Sequence, residues 1–385
     1  MTSLLPVLPA YIEDVGGTTQ QVGLVMGCFA IGLLLSRTWL GWIADRRSRK
    51  LVLLIGTAVA GIAPLGYLLV HSIPVLMAIR AFHGISIAAF TTGYSALVVD
   101  VSPAKQRGEL IGYMSLAVPI GMALGPALGG FLQAYAGYTP LFLGSASWGF
   151  LALILASKVR EATREEALLG NQDDPSQPNR SFWKLIREPS LLVPAVILLL
   201  IGLLFGTLMA FLPLFIRKIE IDFNAGLFYA AAAIASFSVR IFAGRVSDVI
   251  GRGSLIAGSL VCYGLSMVLL AWAETPSVLI AAAVAEGAGG GLLLPMMLAL
   301  ISDRSYAHER GQVYSLCIGG FDLGMSIAGP ALGTLAVVLS YREMFALSAG
   351  LAVLALLIFL TQSNKDLARS LRFALGREKD LYALD

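Results

Sequence analysis

Twelve apolar runs alternate with short polar connectors along the 385-residue chain, a pattern that predicts a bundle of membrane-crossing helices. A helix needs roughly 20 apolar residues to cross about 30 Å of hydrocarbon, and every run except the first reaches that length. Helices are the expected form because the bilayer interior offers no solvent for unpaired backbone groups. The runs cover residues 1–12, 20–43, 51–70, 75–99, 109–135, 138–157, 191–216, 223–246, 254–273, 277–301, 311–339 and 341–361.

The second half of the chain repeats the first at an offset of 203 positions. Self-similarity at one fixed offset indicates two halves of like architecture. We therefore predict a six-helix half at residues 1–157, a polar linker at 158–190, a second six-helix half at 191–361 and a tail at 362–385. The repeated residues are Gly41 and Gly244, Asp45 and Asp248, Arg49 and Arg252, Gly84 and Gly287, and Asp100 and Asp303.

Composition also indicates a membrane protein. Hydrophobic residues make up 57% and charged residues 13% of the chain, whereas a soluble domain carries roughly 25% charged residues. The net charge of +3 is too small to suggest a nucleic-acid partner. Cys28, Cys262 and Cys317 all fall inside apolar runs, so we expect them to be packing residues, not disulfide partners or metal ligands.

Lys and Arg concentrate on alternate connectors, and this asymmetry predicts the orientation of the protein. Cations near short loops resist translocation, so the crowded side is expected to be cytoplasmic. The linker and the C-terminal tail then lie in the cytoplasm, and the protein is a multi-pass protein of the plasma (cytoplasmic) membrane. Arg37 and Arg240 are expected to extend toward the cytoplasmic interface. The tail is expected to be either an interfacial helix or a frayed end.

The polar loop after the second run carries the pattern Gly-x3-Asp-Arg-x2-Arg, which resembles the signature loop of the major facilitator superfamily. Arg80-x3-Gly84 resembles the second motif of that family, in which the arginine is associated with proton coupling. The resemblance implies an all-α fold of two six-helix halves in which loop contacts lock the cytoplasmic side in one state. The implied gating residues are Gly41, Asp45, Arg46, Arg49, Asp100, Gly244, Asp248, Arg252 and Asp303.

A glycine-proline pattern in the fifth run resembles the motif of the drug/proton antiporter branch of that superfamily. Small residues let helices approach closely, so we expect these positions to close the fifth helix against a helix of the other half. The core of the pattern recurs in the second half. The motif residues are Gly121, Gly125, Pro126, Gly129 and Gly130, with Gly329 and Pro330 as the later copy.

The first apolar run is short. Leu8-Pro9 matches Leu212-Pro213 at a shift of 204, so by the repeat the first helix should begin about a dozen residues before Met1. At 1.5 Å per residue, residues 1–12 would cover about 18 Å, little more than half of the hydrocarbon core. We expect either a start upstream of Met1 or a truncated first helix.

Ionisable residues inside spans are costly, by about 2.5–3.5 kcal/mol each at the bilayer centre, and each is therefore a functional candidate. Arg80 and His83 lie in the fourth run, Glu286 in the tenth and Asp322 in the eleventh. Proton coupling needs a buried carboxylate that binds a proton in one conformation and releases it in another. Glu286 is our first candidate and Asp322 the second. The alternatives for either are a fixed ion pair with Arg80 or a hydrogen bond to backbone, and for His83 a packing role.

The chain contains no phosphate-binding loop, zinc motif or nucleophile elbow, so it is not indicated to be an enzyme or an ATP-driven pump. We predict a monomeric secondary transporter that needs no cofactor or metal and exports a small hydrophobic or amphipathic molecule in exchange for protons. Two alternatives stay open. One is an importer or uniporter of a small solute such as a sugar or metabolite, and the other is a non-transporting sensor or scaffold on a degenerate transporter fold.

Overall fold

A computed structural model describes residues 2–101, 117–159, 185, 187–306 and 310–384. Within these ranges, the side chains of residues 45, 95, 96, 98–101, 117–119, 122, 123, 242–249, 310–312 and 315 are not described. The regular structure of the described ranges is helical, and nine of their helices are long and apolar enough to cross a membrane. The prediction of an all-helical membrane fold is confirmed.

Thirteen α-helices lie in the described part of the chain, and we number them in chain order. A short 3-10 turn at Thr2–Leu4 precedes the first of them. The helices are α1 (Leu8–Asp14), α2 (Thr19–Arg46), α3 (Arg49–Leu69), α4 (Ile73–Val101), α5 (Ala117–Ala136), α6 (Tyr138–Ser157), α7 (Pro189–Lys218), α8 (Ala225–Ile250), α9 (Arg252–Ala271), α10 (Pro276–Asp303), α11 (Arg310–Leu335), α12 (Tyr341–Gln362) and α13 (Leu367–Ala374).

The helices belong to two compact units. The N-terminal unit comprises Met1–Gln172 together with the short segments Asn224–Gly226 and Gly329–Thr334. The C-terminal unit comprises Asp173–Phe223, Leu227–Ala328 and Leu335–Asp385. The division between the two long segments falls inside the linker predicted at residues 158–190, most of which lies outside the described residues.

Within each unit, long helices pack side by side around apolar contacts. In the N-terminal unit, α4 packs against α2 and α3, and α3 packs against α6. The buried residues of α2 and α4 include Leu33, Leu40 and Ala88, each 1% exposed or less. In the C-terminal unit, α9 packs against α10 and α12, and α7 packs against α12.

The two repeated polar loops are shorter than the gaps between the apolar runs suggested. Helix α2 continues through the loop motif to Arg46, and α3 begins three residues later at Arg49. The Ser48 hydroxyl caps α3 by accepting a hydrogen bond of 2.9 Å from the Leu51 amide. In the second copy, Gly251 alone separates α8 from α9. Its φ of +81° lies in the left-handed region that favours glycine. The hydropathy pattern marks where the apolar span ends, whereas each helix continues into the polar boundary.

The repeat is visible in the closest helix contacts. A Cβ built on Gly84 of α4 would collide with the carbonyl of Phe29 in α2, and a Cβ built on Gly287 of α10 would collide with the carbonyl of Ala232 in α8. Both members of the second pair follow the first by the same offset of 203 positions. Each half therefore uses an equivalent glycine to bring its second and fourth helices together.

Gly287→Ala is expected to lower the free energy of unfolding by about 1–3 kcal/mol, because the added methyl group overpacks against the α8 backbone. The matched control is Gly350→Ala in α12, where a Cβ would have no neighbour within 4 Å. Alanine is the better helix former, so the control should match or exceed the wild-type protein. Thermal unfolding of the purified protein in detergent checks both variants, and equal midpoints for the two would contradict the close approach.

The tail is folded. Helix α13 packs against α9 and α12, and the ring of Phe373 lies with its centroid 6.0 Å from that of Phe359. Of the two expectations for this segment, the structure forms the helix and not the frayed end.

Candidate functional site

A buried polar cluster lies on α4 of the N-terminal unit. Arg80 is 4% exposed, and its guanidinium carbon lies 4.4 Å from the centroid of the Phe29 ring. A cation over an aromatic face is stabilised by the ring quadrupole. His83, one turn further along, is fully buried and shares a hydrogen bond of 3.2 Å between its Nδ1 and the Tyr67 hydroxyl. The structure thus brings together the predicted residues Arg80 and His83 with Tyr67, which the sequence analysis did not single out.

Aromatic residues hold this cluster in place. The Tyr11 hydroxyl donates a hydrogen bond of 2.6 Å to the carbonyl of Tyr67. The Phe142 ring contacts both tyrosines, with centroid separations of 5.1 Å to Tyr11 and 5.7 Å to Tyr67. Arg80 Nε and His83 Nε2 are buried atoms with no hydrogen-bond partner among the described residues. The cluster therefore keeps unused hydrogen-bonding capacity inside an apolar setting.

A second buried cluster lies on α8, α9 and α10 of the C-terminal unit and is centred on Glu286. Glu286 is 8% exposed, and Tyr229 of α8 and Tyr263 of α9 are also buried, at 5% and 3% exposed. A Cβ built on Gly290 would stand 3.1 Å from the Tyr263 hydroxyl and 3.8 Å from Glu286 Oε1, so both oxygens border the same turn of α10. Among the described residues, no cation forms an ion pair with this carboxylate.

Arg240 lies on α8 of the same unit, and its Nε is buried without a hydrogen-bond partner among the described residues. The expected extension of this arginine to the cytoplasmic interface stays a prediction.

Asp322, the second candidate carboxylate, lies on α11 and is also 8% exposed. The Ser326 hydroxyl donates a hydrogen bond of 2.7 Å to its backbone carbonyl. The neighbouring Phe321 contacts Phe205 of α7 with ring centroids 5.7 Å apart. Asp322 thus follows a residue of α11 that contacts α7, whereas Glu286 lies on α10 beside Tyr263 of α9.

The second copy of the gating loop forms an ion pair. Arg252 Nη1 contacts Asp303 Oδ2 and also donates a hydrogen bond of 2.9 Å to the carbonyl of Ala299. This contact joins the first residue of α9 to the last residue of α10. Arg46 in the first copy is exposed, and its guanidinium lies 5.5 Å from the centroid of the Trp42 ring. The side chains of Asp45, Asp100, Gly244 and Asp248 lie outside the described residues.

The residue after the gating aspartate anchors the tail. Arg304 is 1% exposed, and its Nε and Nη2 donate to the carboxylate of Asp380 at 2.7 and 3.0 Å. Its Nη1 donates to the carbonyl of Ser190 at 2.8 Å, and its Nη2 donates to that of Ser363 at 2.7 Å. The amide of Leu384 donates to the carbonyl of Asp303 at 2.7 Å. We call this set of contacts the tail clamp.

The glycines of the fifth-span motif pack within the N-terminal unit. A Cβ on Gly125 or Gly129 would collide with Thr2 or Ser3, respectively, of the 3-10 turn. The Thr2 hydroxyl donates a hydrogen bond of 2.7 Å to the carbonyl of Gly121. Pro126 lies inside α5 and Gly130 near its end, whereas Gly329 and Pro330 lie inside α11. Within the N-terminal unit, the 3-10 turn that precedes α1 therefore packs against Gly121, Gly125 and Gly129 of the motif.

The family of the chain follows from a match that covers nearly its whole length. The family model of the Major Facilitator Superfamily matches residues 1–272 and 225–378. The chain belongs to the Major Facilitator Superfamily. This membership confirms the resemblance carried by the loop and span motifs, and together with the nine apolar helices of the described ranges it supports an integral multi-pass membrane protein.

Two drug-resistance proteins are among the relatives of this facilitator. The quinolone resistance protein NorA of Staphylococcus aureus is 31% identical over 190 residues, which cover 49% of each chain. That match therefore spans about half the length of NorA. The multidrug resistance protein MdtG of Salmonella paratyphi A is 26% identical over 364 residues, which cover 91% of this chain and 88% of MdtG.

Solved facilitator structures share the fold at low sequence identity. A mutant of the nucleoside transporter NupG superimposes with a TM-score of 0.73 at 14% identity, covering 92% of this chain and 94% of that one. The human organic anion transporter MFSD10 gives a TM-score of 0.64 at 18% identity, covering 93% and 94%. At these identities the likeness shows the fold alone.

The repeat of this facilitator contains a signal that the motif analysis missed. The offset of 203 carries His83 onto Glu286, so the two buried clusters occupy equivalent positions of α4 and α10. The same offset carries Arg80 onto Ala283 and Phe29 onto Ala232, so the cation and its aromatic partner occur in one half only. Aligning the halves residue by residue would have marked position 83/286 as a buried polar position that both halves share.

Proposed function

We propose that this facilitator is a secondary active antiporter that exports a small hydrophobic or amphipathic molecule in exchange for protons. Glu286 carries the proposal, because it is a carboxylate buried in a membrane span with the Tyr263 hydroxyl beside it and no ion-pair partner among the described residues. An ionised carboxylate in hydrocarbon is costly unless it is compensated, so protonation or a cationic ligand would each lower that cost. A carboxylate that binds either a proton or a cationic substrate can couple the movement of one to the movement of the other.

NorA and MdtG are named as drug-resistance proteins, which supports export over import for this chain. Aromatic side chains line both clusters and offer apolar faces without demanding one ligand shape. Hydrophobic or amphipathic molecules would suit such surfaces better than highly polar solutes do. The protein would act in the plasma membrane with its C-terminus in the cytoplasm, following the distribution of Lys and Arg.

Substrate-driven proton movement in proteoliposomes tests the proposal. Purified protein is reconstituted with a pH-sensitive dye in the lumen, and a panel of lipophilic cations, neutral dyes, nucleosides and sugars is added one compound at a time. We expect lumenal pH to change only with hydrophobic or amphipathic compounds, and an imposed proton gradient to drive their accumulation. Sugar or nucleoside flux without proton movement would indicate uniport and contradict antiport. No flux for any compound, with the protein folded, would favour a sensor or scaffold.

The Arg252–Asp303 contact is proposed to act as a latch that holds in one conformation and opens in the other. Both side chains are more than a third exposed, so the pair should contribute about 1 kcal/mol or less to folding. Asp303→Asn is therefore expected to leave the unfolding midpoint unchanged. The same amount of energy would shift the equilibrium between the two conformations by about fivefold.

Transport rate and conformational labelling check the latch. We expect Asp303→Asn to change the initial transport rate about fivefold, together with the accessibility of introduced cysteines to a membrane-impermeant reagent. Asp222→Asn is the matched control, because it removes an exposed aspartate that lies between α7 and α8. Equal transport rates for both variants would rule out the latch.

A further inference from the structure

Helix α13 has a buried face and an exposed apolar face. Ser370, Phe373 and Ala374 are buried against the C-terminal unit, each 5% exposed or less. Leu367, Leu371 and Leu375 follow one another at four-residue spacing and are 56%, 40% and 61% exposed. Residues four apart lie on one side of a helix, so these leucines form a single exposed stripe. We call this set the leucine stripe.

The position of α13 is fixed by the fold. The Asn364 amide donates a hydrogen bond of 2.9 Å to the Ser370 hydroxyl, and Asn364 Nδ2 donates one of 3.2 Å to the carbonyl of Lys379. Gly376, with φ of +71°, passes so close to the carbonyl of Ile250 that a Cβ would collide with it. The tail clamp holds the chain beyond α13. The leucine stripe is thus held outward and cannot turn toward the unit without breaking these contacts.

Cations flank the leucine stripe, and the acidic residues near it are already engaged. Asp366 caps the helix and pairs with Arg369 at 3.3 Å, while Glu378 lies 3.9 Å from the same arginine. Asp380 is bound by Arg304. The cations that remain exposed and form no ion pair among the described residues are Lys365, Arg372, Arg377 and Lys379.

The helix lies at the level where the spans end. Phe373 contacts Phe359, which is one turn before the end of α12 at Gln362, and a Cβ on Gly253, the second residue of α9, would collide with the Phe373 carbonyl. One turn of helix rises 5.4 Å, so the buried face of α13 sits within one turn of both helix ends. In a membrane-spanning protein this is the depth of the lipid headgroups.

We propose that α13 docks on the cytoplasmic leaflet, with the leucine stripe at the boundary of the acyl chains and the flanking cations on the phosphates of anionic phospholipids. An exposed apolar stripe beside Lys and Arg is the pattern of helices that lie in the plane of the interface. The occupant is anionic lipid because the exposed charge is positive and the bilayer surrounds these spans. The inference rests on the membrane topology and is independent of the transported substrate.

Spin-label depth measurements on the full-length protein test the docking. A nitroxide is placed at Leu371→Cys on the stripe, or at Arg372→Cys beside it, in a background that lacks the native cysteines. The protein is reconstituted into bilayers of phosphatidylcholine with phosphatidylglycerol. We expect the label at 371 to collide preferentially with oxygen, which concentrates in the hydrocarbon, and the label at 372 with a water-soluble nickel complex. Both labels in water would overturn the proposal, and so would a label at 371 shielded from both reagents, because that would indicate a protein contact.

Lipid selectivity tests the charge component. The variant Arg372→Gln/Arg377→Gln/Lys379→Gln is expected to reduce the preference for spin-labelled phosphatidylglycerol over phosphatidylcholine about fivefold. Arg342→Gln, which removes a half-exposed cation at the start of α12, is the matched control and should leave this preference unchanged. Unfolding midpoints near the wild-type value show that both variants are folded. An unchanged preference in the triple variant would overturn recognition of anionic lipid.

Discussion

Glu286→Gln is expected to abolish substrate-driven proton movement while the protein stays folded. Glutamine keeps the shape and hydrogen bonding of a protonated glutamate, but it cannot release a proton. Removing a charge that costs about 2.5–3.5 kcal/mol in hydrocarbon should also leave the unfolding midpoint equal to that of the wild type or higher. We expect uphill, proton-driven accumulation to fall at least tenfold, measured in proteoliposomes with an imposed pH gradient.

Exchange without a gradient separates coupling from binding. If Glu286 carries the proton, Glu286→Gln should still exchange labelled for unlabelled neutral substrate across the membrane, because that cycle needs no net proton transfer. Glu274→Gln is the matched control, since its carboxylate is 77% exposed beside Arg342 and should leave coupling intact. Normal coupling in Glu286→Gln, combined with its loss in Asp322→Asn, would assign the proton to Asp322 on α11.

Arg304→Ala is expected to destabilise the C-terminal unit strongly. The side chain is 1% exposed and makes four hydrogen bonds, two of them to the carboxylate of Asp380. Truncation leaves the carbonyls of Ser190 and Ser363 without these donors and Asp380 without its cation. Breaking a buried pair by removing one partner costs about 3–5 kcal/mol. In a chain of this size that loss should lower the unfolding midpoint by roughly 5–10 °C.

The comparison with other variants identifies the tail clamp as the cause. Arg304→Lys should restore little of the lost stability, because one ammonium group cannot replace a planar guanidinium that donates to three acceptor groups. Arg369→Ala is the matched control, since that side chain is 47% exposed and its ion pairs lie at the surface. Thermal unfolding in detergent measures all three variants. If Arg304→Ala and Arg369→Ala unfolded at the same temperature, the tail clamp would not contribute to stability.

The sequence determined where the spans lie and how they repeat. The run at 254–273 corresponds to α9 at Arg252–Ala271, and the run at 341–361 corresponds to α12 at Tyr341–Gln362. Burial in hydrocarbon requires a minimum length of apolar side chains, so this information is local and can be read along the chain. The offset of 203 positions likewise predicted two halves of like architecture, and in the structure the equivalent residues Gly84 and Gly287 each lie at a close helix contact.

Only the tertiary structure decided which polar groups meet. Tyr263 is beside Glu286 although 23 positions separate them, and Arg304 binds Asp380 across 76 positions. Hydropathy gives the depth of a residue in the membrane but not the direction in which its side chain points around the helix. That direction depends on which helices are neighbours and how closely they pack. The Tyr263 hydroxyl and the Glu286 carboxylate therefore become neighbours only once α9 and α10 are packed together.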